Sequence, residues 1–120
     1  MSIELQTKFG QIDISNDVIA TIAGGAAVDC YGIVGMASKH QLKDGIAEML
    51  RRENFSRGIV VRQEDEEVHI DMYIIVSYGT KISEVAHQVQ SKVKYTLNQT
   101  VGLAVDSVNI YVQGVRVTNP

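Results

Sequence analysis

Few side chains in this sequence could do chemistry, and the best placed pair is His69 and Asp71. Their spacing of two puts both on one face of a predicted strand, where an imidazole could act as a base beside its orienting acid. Arg62 is predicted to lie across from His69 and diagonally from Asp71 on the neighbouring strand, so a cross-strand ion pair explains the same residues. We expect the ion pair, which contributes little on an exposed surface, and assign no catalysis.

One thiol and two further imidazoles complete the candidates. Cys30 comes at the end of an apolar helical pattern beside Tyr31, without the nearby base that activates a nucleophilic thiol, so a core thiol is favoured. His40, His69 and His87 occur singly on three predicted elements, without the paired spacing of metal sites. The sequence therefore predicts no catalytic residue, no metal site and no cofactor.

Two changes in apolar spacing define the elements that would position these residues. Apolar residues alternate over residues 68–78, follow one helical stripe over 82–97, and alternate again over 108–112. Residues 58–63 should pair with the first of these strands as a hairpin. The predicted partners are Gln63 with Val68, Arg62 with His69, Val61 with Ile70, Val60 with Asp71 and Ile59 with Met72.

The rest of the chain is more ambiguous. Residues 3–14 alternate around Gly10, which suggests a bent or two-part edge strand. Ser15 or Asn16 should cap a first helix that reaches about Cys30, with Gly32 ending it, followed by a short strand over 33–37. A second helix is predicted over 41–53, and a third is predicted to begin at Thr80 and end at Gly102. The expected fold is an α+β two-layer sandwich, a mixed sheet of about four to five strands covered by two to three helices.

Size and composition fit one domain spanning residues 1–120. The chain has one proline and no linker-like stretch, and a single cysteine cannot form an intramolecular disulfide, so we expect a cytoplasmic protein. Residues 18–37 are apolar enough to be tested as a membrane span, but Asp29 and several glycines argue against one. We expect no direct membrane span, so that any membrane attachment would need a partner.

The formal net charge of −3 gives no global attraction to nucleic acid, but charge is unevenly distributed. A basic segment is followed at once by four consecutive acids, Glu64, Asp65, Glu66 and Glu67. Its cations are Lys39, Lys43, Arg51, Arg52, Arg57 and Arg62. The ordinary interpretation is a solvated helix face and a charged hairpin turn, and the alternative is head-to-tail contact between copies.

Gly32-Ile33-Val34-Gly35 matches the G-x-x-G loop with which KH domains clamp a nucleic-acid backbone. Its middle residues are apolar where phosphate contact needs cations, and no aromatic platform is nearby. A KH-like nucleic-acid-binding module therefore stays as the alternative hypothesis, and nucleic acid is not the partner we expect.

Six motifs, in order along nearly the whole chain, resemble the alkaline shock protein family, the envelope stress response proteins of Gram-positive bacteria. They are GQIDIS at 10–15, VIATIA at 18–23, CYGIVGMAS at 30–38, IDMYIIVSYG at 70–79, VQSKVK at 89–94 and VNIYVQGV at 108–115. The chain is most similar to short members that consist of the domain alone. Asp29, where the family pattern suggests Glu, and the polar pairs at 87–88 and 98–99 are modest departures, which leave the choice of partner open.

The resemblance implies a cytoplasmic, non-enzymatic protein that supports cell-envelope homeostasis and stress tolerance. Some relatives self-associate and are held at the inner membrane face by a membrane-anchored partner, and others are linked with lipid metabolism. A homo-oligomer is expected, with contacts from the basic helix to the acidic turn. The residues assigned to this contact are Lys43, Arg51 and Arg52 against Glu64, Asp65, Glu66 and Glu67. A nucleic-acid binder, and an enzyme or small-ligand carrier with a pocket between helix and sheet, remain as alternatives.

Overall fold

The computed structural model describes residues 2–37 and 58–117, which form six strands and two helices. In chain order these elements are β1 (Ser2–Thr7), β2 (Gly10–Ser15), α1 (Asn16–Val28), β3 (Ile33–Met36), β4 (Ile59–Glu64), β5 (Glu67–Ser77), α2 (Ile82–Val101) and β6 (Ser107–Arg116). The helix predicted over 41–53 lies outside the described residues, together with His40, Lys43, Arg51 and Arg52. The α+β sandwich predicted from the sequence is confirmed.

The main sheet is built around β5, its longest strand. β6 runs parallel to β5 along one edge, and β3 and β4 are both antiparallel to β5. Because β6 occupies one edge over most of the length of β5, β3 and β4 must share the other edge, one after the other. β4 pairs with residues 67–72 and β3 with residues 74–76. The result is a four-stranded mixed sheet, as predicted.

Tyr73 joins β3 and β4 where they meet along this edge. Its carbonyl oxygen accepts a hydrogen bond from Ala37 N at 2.9 Å, and its own N–H donates to Gly58 O at 2.8 Å. Gly58 has a φ of +79°, and a side chain there would run into the Ala37 carbonyl. Glycine is therefore required at the point where the chain returns to the sheet.

The β4–β5 hairpin has the register predicted from the sequence. All five predicted pairs are present, and Glu64 pairs with Glu67 across a turn made by Asp65 and Glu66. Asp65 adopts a left-handed conformation with φ of +58°, which aspartate tolerates better than most residues. The acidic run is therefore the turn and its two flanking positions.

The first strand pattern forms a separate two-stranded hairpin. β1 and β2 pair antiparallel from Ser2 opposite Ser15 to Thr7 opposite Gly10, with Lys8 and Phe9 as the turn. The prediction of a bent or two-part strand is therefore refined, since Gly10 begins a second strand that folds back onto the first. Its φ of +138° is open to glycine and unfavourable for other residues.

Both helices begin and end for local reasons, two of which differ from the prediction. Ser15 caps α1, its hydroxyl accepting from Val18 N at 3.3 Å, but the helix already ends at Val28 with Asp29 as the C-cap. The prediction that Gly32 ends this helix was wrong. Gly32 lies in the turn before β3 with φ of +93°, where a Cβ would come within 2.7 Å of Val85 on α2.

Helix α2 has Lys81, not Thr80, as its N-cap, and no side chain caps it. The Thr80 hydroxyl instead donates to Ser77 O at 2.7 Å, within the turn that precedes the helix. Gly102 ends α2 in the predicted left-handed conformation, with φ of +76°, and its N–H donates to Asn98 O.

The hydrophobic core lies between the helices and one face of the sheet. β5 contributes its even-numbered apolar residues from Val68 to Val76, and α2 contributes one stripe, Val85, Val89, Val93 and Leu97. From α1 come Ile19 and several alanines, whose small side chains let the helix approach closely. The strand and the amphipathic helix after it thus share one interior. Within the described residues, no helix has the length and apolar character needed to cross a bilayer.

Candidate interaction surface

The sheet face turned away from the helices carries most of the side chains that the sequence marked for chemistry. The odd-numbered residues of β5 point to this face, and β4 and β6 add the residues that pair with them. We call it the open sheet face, made of Val60, Arg62, Glu64, Glu67, His69, Asp71, Tyr73, Ile75, Ser107, Asn109 and Tyr111. It is polar near the β4–β5 turn and aromatic further along β5.

Asp71 is the charged centre of the open sheet face. The residue is 9% exposed, and its carboxylate accepts from Arg62 Nε at 2.7 Å, from Arg62 Nη2 at 3.2 Å and from Asn109 Nδ2 at 2.9 Å. Burial works to raise the pKa of Asp71, but the hydrogen bonds from Arg62 and Asn109 outweigh it and hold this pKa below its ordinary value. The cross-strand ion pair expected between β4 and β5 is confirmed.

His69 bonds to different partners from those expected. Its Nδ1 lies 2.6 Å from Ser107 Oγ on β6, and its Nε2 lies 3.2 Å from Glu67 Oε1 on its own strand. The guanidinium of Arg62 turns instead to Asp71 and, at 2.9 Å, to Glu64. The carboxylate next to His69 is therefore Glu67, and Asp71 belongs to the arginine.

These contacts join into one network across three strands. Asn109 Nδ2 donates to both Asp71 Oδ1 and Ser107 Oγ, and so links the arginine pair to the histidine pair. The sequence reasoning missed Ser107 and Asn109. Their spacing of two matches that of His69 and Asp71, and the parallel register sets Ser107 beside His69 and Asn109 beside Asp71. That match was the available signal, but it is useful only once the register is known.

A carboxylate, an imidazole and a hydroxyl in a row are also the groups of a nucleophilic triad. Here the Glu67 side chain is 64% exposed, so water competes for the carboxylate that would orient the imidazole. Ser107 Oγ already accepts a hydrogen bond from Asn109, and its own proton can be shared with His69 Nδ1. The arrangement can hold β5 and β6 in register and can pass a proton along the surface.

An aromatic pair continues the open sheet face beyond the polar network. Tyr73 and Tyr111 face each other across β5 and β6 with ring centroids 5.0 Å apart and planes 19° from parallel. Stacked rings at this distance contribute about 1 kcal/mol beyond their buried area. Tyr111 and Val60 are both more than 40% exposed, so this part of the face presents apolar surface to a partner.

The acidic turn, Glu64 to Glu67, borders the polar end of this face. Its outer members already have partners, since Glu64 bonds to Arg62 and Glu67 to His69. Asp65 and Glu66 are exposed and form no ion pair with any residue of the described chain. The basic residues predicted to meet this turn, Lys43, Arg51 and Arg52, lie outside the described residues, so this contact stays a prediction.

Other candidates from the sequence lie away from this face. Cys30 is half-buried after α1 and packs against the core, and its thiol donates to Ala26 O at 3.6 Å. Burial raises the pKa of this thiol, nearby Lys92 lowers it and Asp29 raises it further, with a net rise. A thiol with a raised pKa is a poor nucleophile at neutral pH.

The glycines of the G-x-x-G motif do not form a loop between helices. Gly32 lies in a turn and Gly35 within β3, which pairs with β5. Over the two described stretches, no three histidine, cysteine or acidic side chains are grouped so that they could hold a metal ion. A hollow of about 340 Å³ does lie between α2 and β6, lined by His87, Gln90, Ser91, Lys94, Ser107, Val108 and Asn109.

Comparison with known proteins gives a consistent family assignment. The chain is 83% identical to the uncharacterized protein YloU of Bacillus subtilis (strain 168), over all of both chains. It is 46% identical to the uncharacterized protein Spy1614 of Streptococcus pyogenes serotype M6, over 98% of this chain and 97% of that one. Against the uncharacterized protein YqhY of B. subtilis the identity is 31%, over 92% of this chain and 80% of the relative. No solved structure matches.

The family match extends over nearly every described element. Residues 4–117 match the model of the alkaline shock protein family, which is described as having a cell envelope-related function. This range includes most of the β1–β2 hairpin, the core and the whole open sheet face, and it agrees with the resemblance drawn from the sequence motifs. The chain is therefore a member of the alkaline shock protein family, and its function is related to the cell envelope.

Proposed function

We propose that this protein is a non-enzymatic, self-associating scaffold that acts at the cytoplasmic side of the cell membrane and supports envelope homeostasis. In this proposal copies of the chain contact one another and a membrane-anchored partner protein, which brings a chain without its own span to the membrane. A link to lipid metabolism is a further part of the proposal, and it rests on the family resemblance alone.

The observation that carries the proposal is the division of charges at the acidic turn. Arg62, Asp71, Glu64, His69 and Glu67 neutralise one another within the chain, so the network holds the strands together. Asp65 and Glu66 project beyond it without ion pairs among the described residues. Unpaired surface charges steer complementary partners and are screened by salt. A second copy offers complementary charge through Lys43, Arg51 and Arg52.

The edge of the sheet supports the same proposal. Strand β6 pairs with β5 on one side, and on the other side it pairs with no strand of the described chain. An uncovered edge strand can add a further strand from another chain. Gln90 on α2 donates to Val108 O at 2.9 Å, so one end of this edge is already contacted, and the far end is open. The stacked tyrosines and Val60 add exposed apolar surface nearby.

Sedimentation velocity at low and high salt tests the charge contact. We compare the wild type with Arg51→Glu/Arg52→Glu and with Asp65→Lys/Glu66→Lys, and expect each variant to sediment as a smaller species at low salt. Combining all four substitutions should restore association, because the charges are exchanged between the two surfaces. Lys81→Glu/Glu84→Lys, which exchanges an exposed pair on α2, is the matched control and should behave as wild type.

The outcomes separate the contact from a general effect of charge. A wild type that sediments as a monomer at both salt concentrations contradicts self-association. If the wild type associates but the two charge variants do so equally well, the scaffold survives and the assigned contact is wrong. Failure of the four-fold variant to restore association would mean that the two patches do not meet each other.

A further inference from the structure

The tip of the β1–β2 hairpin carries the most exposed large apolar side chain of the described residues. Phe9 is 96% exposed at the second position of the two-residue turn, directly after Lys8. A single exposed apolar residue is ordinary on a protein surface. This phenylalanine differs because the hairpin behind it also presents an apolar face that is only partly covered.

One face of the hairpin is apolar along its length. Ile3 opposite Ile14 forms the inner pair and Leu5 opposite Ile12 the outer pair. Ile3 is 3% exposed and packs into the core, whereas Ile12 is 49% exposed. Cover from the body of the protein therefore runs out toward the tip. A two-stranded ribbon without a covered face is marginally stable in water, so another surface that covers this face would stabilise it.

The tip itself is held in one shape. Thr7 Oγ1 accepts from Phe9 N at 3.2 Å and donates to Gly10 O at 3.1 Å, which satisfies turn groups that would otherwise need water. Gln6 Nε2 donates to Gln11 Oε1 across the polar face at 3.3 Å. A turn whose polar groups are bonded internally loses less when it leaves water.

Charge decides which kind of surface fits the tip. Lys8 is the charged residue of the turn, and the nearest acids of the hairpin, Glu4 and Asp13, form a cross-strand pair three positions back. Three positions correspond to about 10 Å along a strand, roughly one Debye length at physiological salt. The tip is therefore locally positive and apolar on a protein whose net charge is −3. A cation next to an aromatic ring matches the headgroup region of an anionic bilayer.

We propose that the β1–β2 hairpin binds an anionic lipid bilayer directly, with Phe9 inserted at the level of the headgroups and Lys8 on the lipid phosphates. Only the tip enters, because the outer edges of a two-stranded ribbon leave backbone groups that hydrocarbon cannot satisfy. The contact goes beyond the proposed function, since it requires neither a membrane-anchored partner nor self-association. Removing the cation should weaken partitioning about fivefold.

A tryptophan placed at the tip gives a direct test, because the chain has none. Phe9→Trp is mixed with vesicles of equal parts phosphatidylglycerol and phosphatidylethanolamine, and separately with phosphatidylcholine vesicles. We expect a blue shift of its emission, and quenching by lipids brominated on their acyl chains, with the anionic vesicles. The control is Tyr95→Trp, on the exposed side of α2, which should show neither. Adding Lys8→Gln to Phe9→Trp should reduce partitioning into anionic vesicles about fivefold.

Three results would overturn the proposal. The first is emission from Phe9→Trp that stays unchanged up to millimolar anionic lipid. The second is an equal shift from Tyr95→Trp, which would mean that adsorption is not specific to the tip. The third is a blue shift that grows with protein concentration without vesicles, which would assign the tip to a second copy. Circular dichroism of each variant establishes that the fold is intact, and the scaffold proposal stands or falls separately by sedimentation.

Discussion

Replacing Gly58 by alanine tests the way in which two short strands share one edge of β5. Gly58 is the residue at which the chain rejoins the sheet, and its carbonyl accepts from Tyr73 N while Tyr73 O accepts from Ala37 N. A Cβ at Gly58 would collide with the Ala37 carbonyl and would lie 3.2 Å from Tyr73 O. The obstacles are backbone atoms, which cannot rotate away as a side chain can.

Two costs add in this variant. An alanine held at φ of +79° costs about 1 to 2 kcal/mol relative to glycine. Overpacking against fixed atoms costs about 1 to 3 kcal/mol more, because the strand must move. The expected loss in the free energy of unfolding is therefore about 2 to 5 kcal/mol, a large part of the 5 to 15 kcal/mol typical of a domain. At about 4 °C per kcal/mol for this size, Tm should fall by about 8 to 20 °C.

Gly79→Ala is the matched control, since Gly79 has a φ of +93° but nothing within 4 Å of the added carbon. It should lose the conformational part alone, about 1 to 2 kcal/mol. Urea unfolding monitored by circular dichroism at pH 7 measures both variants against the wild type. Equal losses within 0.5 kcal/mol would show that Ala37 and Tyr73 do not crowd Gly58, and the end-to-end arrangement of β3 and β4 would be refuted.

Three further predictions concern the core, Asp71 and Cys30. Leu97→Ala should cost about 3 kcal/mol of unfolding free energy in urea, because Leu97 is fully buried, and a loss below 1 kcal/mol would contradict its place in the core. The pKa of Asp71 is lowered in the folded protein, so its stabilisation is present above the unfolded pKa and is lost as pH falls through the folded pKa. The stability gap between wild type and Asp71→Asn should hold above about pH 5 and narrow below 3.8, and a gap unchanged at pH 3 would contradict the sign. The pKa of Cys30 is raised, so a disulfide reagent at pH 8 should react more slowly with the folded protein than with the unfolded chain, and Lys92→Gln should slow it further.

The parts of the fold that could be predicted are those fixed by local pattern. Alternation in β5 and the four acids beside it determine which residues face the core and where the chain turns, so the β4–β5 register follows directly. The apolar stripe of α2 and the left-handed Gly102 are equally local. The parallel pairing of β5 with β6 was also anticipated, because a helix connects two strands of one sheet.

The parts that could not be predicted depend on contacts between distant residues. Ser107 meets His69 through a parallel register that sequence patterns do not specify. Gly32 is needed where Val85 of α2 approaches the chain, and its proximity to the end of α1 suggested a helix cap instead. Thr80 has the side chain of a cap, but its hydroxyl bonds back to Ser77 O. In each case a tertiary contact or a competing bond prevailed over a local preference.

The bonds made by Tyr73 have a consequence for how relatives of this chain can diverge. Ala37 and Gly58 are fastened to the same residue of β5, so the chain leaves the sheet and returns to it at nearly one point. Adding or removing residues between these two anchors changes the length of a closed excursion while leaving every strand pair in place. The entropic penalty for closing a longer excursion grows only logarithmically, by about 0.6 kcal/mol for each doubling. Evolution can therefore rewrite residues 38–57, basic cluster included, while the sheet and its acidic turn keep their geometry.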